Sequence, residues 1–151
     1  MAPRATPAER FWPKVNQDGP PPEHRPELGA CWLWTAAPDG RGYGAFSAEG
    51  RRVVKAYVWA WEAEHGPVPT GLELDHLCRV KLCVRPSHLE AVTHGENIRR
   101  ARLARTTCRR GHDLTDPANV RIRARDGARI CRACAREHDA DWRARQPTPR
   151  S

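Results

Sequence analysis

Three runs, Asp75-His76-Leu77-Cys78-Arg79, Cys83-Val84-Arg85-Pro86-Ser87-His88-Leu89-Glu90 and Thr93-His94-Gly95-Glu96-Asn97, put the side chains best suited to chemistry into one short stretch. A neutral imidazole can take a proton from water near neutral pH. Asp and Asn oxygens suit a hard divalent cation, whereas cysteine sulfur and imidazole nitrogen suit zinc. Cys78, Cys83 and His88 follow one another with four residues between each pair, a spacing for a loop folded around an ion rather than a helix presenting ligands. Tetrahedral zinc needs a fourth ligand. His76 would complete a local set of two Cys and two His, while Cys31 could arrive from an earlier strand. The choice decides the chemistry, because an imidazole bound to zinc cannot accept a proton.

A second group lies downstream. Cys108-Arg109-Arg110-Gly111-His112 and Cys131-Arg132-Ala133-Cys134 form two knuckles separated by eighteen residues, a strong pattern for a second zinc held by Cys108, His112, Cys131 and Cys134. Val120-Arg121-Ile122-Arg123 alternates like a short strand, and Asp126-Gly127 reads as a turn before Ala128 to Ile130, so a hairpin closed by metal is expected. Structural zinc contributes about 10–16 kcal/mol in isolated finger peptides, so metal should decide whether so small a unit folds.

These residues need elements to hold them. Residues 1–10 read as disordered, and Gln17 to Leu28, with Gly19 leading into Pro20-Pro21-Pro22, as a linker or irregular loop. Structure is expected to begin near Cys31. Strands are expected at Cys31–Thr35, Tyr43–Ser47 and Arg52–Val54, joined by turns at Pro38-Asp39-Gly40 and Ala48-Glu49-Gly50. Ala56 to His65 favours a helix ended by Gly66-Pro67. Leu72 to His76 and Leu89 to Val92 should be strands flanking a long loop. Thr93 with Glu96 three residues on is a capping signal for a helix from His94. The fold expected is α+β: an antiparallel meander, a strand-loop-strand-helix unit, and a ribbon-like zinc module.

Asp75-His76-Leu77-Cys78, Cys83 to His88 and Glu96-Asn97, preceded by Cys31-Trp32-Leu33-Trp34 and Gly42-Tyr43-Gly44, resemble HNH endonucleases of the His-Me finger (ββα-metal) superfamily. The branch most similar contains zinc, as in phage-type HNH proteins and His-Cys box homing endonucleases. The resemblance covers roughly residues 10–100. It implies a structural zinc on Cys31, Cys78, Cys83 and His88, with His76 left as general base. It implies Asn97, and in many relatives Asp75, as ligands of a catalytic divalent cation, usually magnesium. The partner implied is DNA, double-stranded, and related homing enzymes often pair as homodimers. The chain departs from the family at two points. Ala56-Tyr57-Val58 replaces a common Ala-His-Arg triplet, so a phosphate contact is either missing or supplied by Lys55 or Arg52, and Arg85 stands where Asn is common. His94 reads as a solvent-facing residue at a helix start, with a metal or phosphate contact as the other reading.

Charge adds a partner. The chain carries 26 Lys and Arg against 18 Asp and Glu. Residues 98–151 hold 15 Arg and 6 acids, a balance of +9, which leaves 11 against 12 for residues 1–97. A basic, Arg-only half suits phosphate oxygens, and Arg99, Arg100, Arg109, Arg110, Arg121 and Arg123 are the candidate DNA contacts there. Arg-biased codon usage on a solvated surface is the alternative. Without an apolar leader after Met1, the six cysteines are expected in a reducing bacterial cytoplasm as metal ligands, encoded by a host or its phage. No apolar run approaches the roughly 20 residues that span a bilayer. The domain plan expected is a flexible arm and linker at 1–29, a nuclease core at 30–106, a basic zinc module at 107–145 and a tail at 146–151. Two rival functions are a non-catalytic, two-zinc DNA-binding protein and a protein-interaction zinc module.

Overall fold

Thr6 opens the first helix. Its hydroxyl accepts from the Glu9 N–H at 3.2 Å, while the Glu9 carboxylate accepts from the Thr6 N–H at 2.7 Å, and Pro7 sits at the first helical position. This reciprocal cap satisfies donors that a short helix otherwise leaves orphaned. Helix α1 (Pro7–Phe11) ends by placing the Phe11 ring, wholly buried, against Trp34, Phe46 and Trp59 at centroid distances of 5.1, 4.9 and 4.2 Å. Strand β1 (Val15–Asn16) then pairs antiparallel with β2 (Leu33–Trp34). Regular structure therefore starts at Pro7, ahead of the onset near Cys31 that composition suggests. The computed structural model describes residues 5–48 and 52–146. The expected turn at Ala48-Glu49-Gly50, the first four residues and the last five lie wholly or partly outside that range.

Between β1 and β2 the chain is held by close packing. A Cβ on Gly19 would lie 2.5 Å from the Cys31 carbonyl oxygen, the acceptor to which the Gly19 N–H donates at 3.1 Å, so only glycine fits. Strands β3 (Ala45–Ser47) and β4 (Val53–Lys55) form their own antiparallel pair. The expected three-strand succession is thus two separate two-stranded sheets, because β2 spends its ladder on β1. A bridge between Pro38 and Gly44 and a bond from Ala45 N–H to the Ala37 carbonyl link the two pairs. Helix α2 (Ala56–His65) stops at Gly66, whose φ is +80°, as the Gly-Pro pair predicts. Ala56 and Ala60 join Phe11, Trp34, Phe46 and Val84 in the main core.

Strands β5 (Leu72–His76) and β6 (Leu89–Thr93) pair antiparallel along their whole length, with Asp75 opposite Glu90 and His76 opposite Leu89. Thr93 Oγ accepts the Glu96 N–H at 3.2 Å, and α3 (His94–Leu103) follows without a break. This is the expected strand-loop-strand-helix unit.

Contacts divide the chain into two units, Met1–Asn97 and Ile98–Ser151. In the second, β7 (Val120–Ile122) pairs antiparallel with β8 (Arg129–Cys131), and α4 (Arg132–Ala144) follows directly. The sequence reading places no helix there, so this unit is a hairpin continued by a helix. The Arg129 guanidinium donates to the carbonyls of Leu103, Arg105 and Leu114, tying the segment before the first knuckle to β8. Every sheet among the described residues is a two-stranded antiparallel pair, giving a mixed α and β fold of short elements. No helix among them is long and apolar enough to cross a membrane.

Candidate active site and metal centres

Residues 77–88 connect β5 to β6, and backbone bonds fold them into a fixed loop. The Leu77 N–H donates to the His88 carbonyl at 2.9 Å, the Arg79 N–H to the His76 carbonyl at 3.0 Å and the Cys83 N–H to the Val80 carbonyl at 3.0 Å. Arg79 takes a φ of +55°, the only non-glycine among the described residues to do so. The far side of the loop docks on β2: Trp34 N–H donates to Leu82 O and Val84 N–H to Trp32 O, each at 2.8 Å, with Leu33 bridging Cys83. That pairing carries Cys31 to the loop. Cys31, Cys78, Cys83 and His88, all buried, place one ligand atom each within 4.8 Å of the others. Of the two candidates for the fourth position, it is Cys31 that stands in this cluster.

His88 faces the sulfurs through Nδ1, 3.5 Å from Cys83 Sγ and 3.7 Å from Cys31 Sγ. Its Nε2–H donates to the Leu28 carbonyl at 2.9 Å, an outer contact that fixes ring orientation and leaves Nδ1 the lone pair for a metal. The Cys83 thiol, bonding to Cys78, is the main reason the Cys78 thiol is held down to about 5.

His76 stands apart from this cluster. Its Nε2 lies 3.0 Å from the Cys83 carbonyl oxygen. A carbonyl only accepts, so Nε2 carries the hydrogen and Nδ1 keeps a free lone pair. Tyr57 packs its ring edge on the imidazole at 4.6 Å, with Tyr43 at 6.0 Å. Burial pushes the His76 pKa down, against the opposing pull of its carbonyl partner, which favours the neutral ring. Tyr57, the departure from the family triplet, thus packs directly on the imidazole. Arg85, the other departure, donates to the Ala30 carbonyl at 2.7 Å and lies over the Trp32 ring, bracing the strand that delivers Cys31.

Asn97, in the first turn of α3, donates its Nδ2 to the Glu73 carboxylate at 2.6 Å, and His94 Nδ1 lies 3.2 and 3.3 Å from the two Glu73 oxygens. The Asn97 amide is the first reason the Glu73 pKa is lowered. The sequence places Glu73 in a strand but marks no function for it, although the alternation Leu72-Glu73-Leu74-Asp75 puts it on the same strand face as Asp75. His94, three-quarters exposed, is a partner of Glu73. Glu73, Asp75 and His94 do not converge into a metal-sized cluster of their own, since the described residues hold two such groups.

The second group is Cys108, His112, Cys131 and Cys134. A tight turn, with Gly111 at a φ of +84°, returns the His112 carbonyl to the Cys108 N–H at 3.0 Å. Cys131 ends β8 and Cys134 falls in the first turn of α4. His112 Nδ1 lies 3.3, 3.4 and 3.6 Å from the sulfurs of Cys134, Cys108 and Cys131, and its Nε2 faces Glu137 at 3.6 Å. Of the candidate DNA contacts, Arg52, Arg109 and Arg121 are exposed. Arg110 pairs with Glu137, Arg123 with Asp126 at 2.6 Å, and Lys55 with Asp39 at 3.0 Å while lying over the Tyr43 ring. Arg99 and Arg100 lie on α3, each with a partner.

Comparison with known proteins bears on this geometry. Residues 54–99 match a family model described as HNH endonuclease. The uncharacterized gene 5.3 protein of Enterobacteria phage T3 is 38% identical over 40 residues, covering 26% of this chain and 40% of that protein. Protein 7.7 of Escherichia phage T7 is 33% identical over 67 residues, covering 44% and 51% respectively. The chain therefore spans at most about half the length of these relatives. No solved structure matches it. The matched segment holds β5, β6, the loop between them and the first part of α3, but neither Cys31 nor the second cluster. Residues 54–99 thus form an HNH-type domain, accompanied by two Cys/His clusters able to hold metal ions.

Proposed function

We propose that this chain is a metal-dependent DNA endonuclease with His76 as its general base. The observation that carries the reading is the hydrogen bond from His76 Nε2 to the Cys83 carbonyl, which leaves Nδ1 to take a proton. Water gives that proton to Nδ1, the resulting hydroxide attacks phosphorus, and the bond to the 3′ oxygen breaks; the departing alkoxide takes a proton from a second water, leaving 5′-phosphate and 3′-hydroxyl ends. General base catalysis of this kind is typically worth about 10²–10⁴-fold. Asn97 and Asp75 would hold a divalent cation, magnesium, whose hard-oxygen preference their donors fit and which uses few protein ligands. Such an ion would neutralise charge developing on phosphate and leaving oxygens.

Both Cys/His clusters are assigned to structural zinc. Zn–S and Zn–N bonds at about 2.3 and 2.05 Å give a tetrahedral S···N edge of about 3.6 Å, and the observed edges run from 3.3 to 3.7 Å. In this reading the first zinc positions the base, since Cys83 supplies both a sulfur to the metal and a carbonyl to His76. The exposed Arg52, Arg109 and Arg121 would contact duplex phosphates in the bacterial cytoplasm. The test is nicking of supercoiled plasmid with magnesium or with EDTA. Wild type should nick only with magnesium, and His76→Ala should lose at least about 100-fold in rate. A variant as fast as wild type disproves the role, and binding without cleavage under any divalent ion would favour a non-catalytic DNA-binding protein.

A further inference from the structure

Glu73 is engaged twice, by the Asn97 amide at 2.6 Å and by the His94 ring at 3.2 and 3.3 Å. It projects from β5 toward the first turn of α3 and remains about two-fifths exposed. A carboxylate is acceptor-only, so the group of Asn97 that meets it must be the NH₂ and not the carbonyl. An amide is planar with its nitrogen and oxygen diverging, so capture of Nδ2 turns Oδ1 away from Glu73. Without that anchor the amide can present either end, and its nitrogen cannot ligate a cation.

We propose that Glu73 is a positioning residue for the divalent-cation site: its carboxylate fixes the Asn97 amide so that Oδ1 is the atom offered to the ion. This inference rests on the reading of Asn97 as a cation ligand, and it places Glu73 one step outside the ion. Partners of this kind typically change metal affinity by about 10–100-fold.

The experiment measures Mn²⁺ as a probe of the magnesium site, by the electron paramagnetic resonance signal of the free ion, on the full zinc-loaded chain. Zinc content and thermal unfolding of each variant are recorded alongside. Glu73→Gln, which can bond the amide in either orientation, should weaken Mn²⁺ binding about tenfold with zinc retained. In an Asn97→Asp background both ends of residue 97 are oxygen, so the same Glu73→Gln change should cause no loss. The Asn97 side-chain protons should exchange with solvent faster in Glu73→Gln than in wild type. An equal loss in both backgrounds overturns the inference, because Glu73 then acts on the ion without Asn97, while the nuclease reading survives. Unchanged amide exchange, or unchanged Mn²⁺ affinity in Glu73→Gln, overturns it too. If wild type binds no Mn²⁺, the cation site itself falls and this inference with it.

Discussion

At the scale of single residues, the decisive pair is Cys31 and His76. Both were candidates for the same coordination position; the fold puts Cys31 in the Cys/His cluster, 3.7 Å from His88 Nδ1, and turns His76 onto a backbone carbonyl. Elemental analysis separates the two roles. Cys31→Ser should lower zinc from two ions per chain to one, whereas His76→Ala should leave two. Zinc lost from the His76 variant and kept in the Cys31 variant would reverse the assignment. Chemistry-bearing residues were readable because their types are rare and their spacing is constrained by coordination: Cys78, Cys83 and His88 could be grouped from intervals alone. Glu73 was not readable that way. Carboxylates are common on exposed strand faces, and only the packing of α3 against β5 shows which one meets Asn97.

At the scale of elements, the helix before the matched domain carries more of the core than its five residues imply. Phe11 is fully buried among Trp34, Phe46 and Trp59. Phe11→Ala should cost about 3–5 kcal/mol, the usual range for emptying an aromatic core position, read as a lower midpoint in urea unfolding of the zinc-loaded chain. A loss under about 1 kcal/mol would mean that α1 lies on the surface of the core. The elements legible in the sequence were those with two independent signals. Helix α2 had a ten-residue run free of glycine and proline and a Gly-Pro stop, and α3 had the Thr93 cap. Helix α1 also had its signals, Thr6 with Glu9 three residues later and Pro7 between, but the surrounding prolines and charges outweighed them. Helix α4 was hidden because Cys131 and Cys134 read first as a knuckle, though the Ala- and Arg-rich stretch after them contains neither glycine nor proline. The strand at Leu33–Trp34 was placed correctly along the chain, yet its partner was not. Pairing is set by which backbone edge is available in three dimensions, and β1 is only two residues long.

At the scale of the whole molecule, charge and metal define what the chain can engage. If the basic second unit grips phosphates, DNA binding must weaken as salt rises, with a slope near −0.9 for each phosphate neutralised on duplex DNA. Arg109 and Arg121 form no ion pair among the described residues, whereas Arg123 is committed to Asp126. Arg109→Ala and Arg121→Ala should each flatten the slope by about 0.9, and Arg123→Ala by less. Equal slopes in all three variants and wild type would remove this surface from the interface. The first metal cluster has a consequence of a different kind. Cys31 and His88 are 57 residues apart in the chain, so during synthesis the cysteine emerges long before its partners. Until the later ligands leave the ribosome, that thiol is a monodentate donor, exposed to oxidants and to capture by the wrong ion. Closure of the cluster around an ion would then be a late, long-range event, and the His76 ring, held by the Cys83 carbonyl, would acquire its orientation only when the nascent chain had completed it.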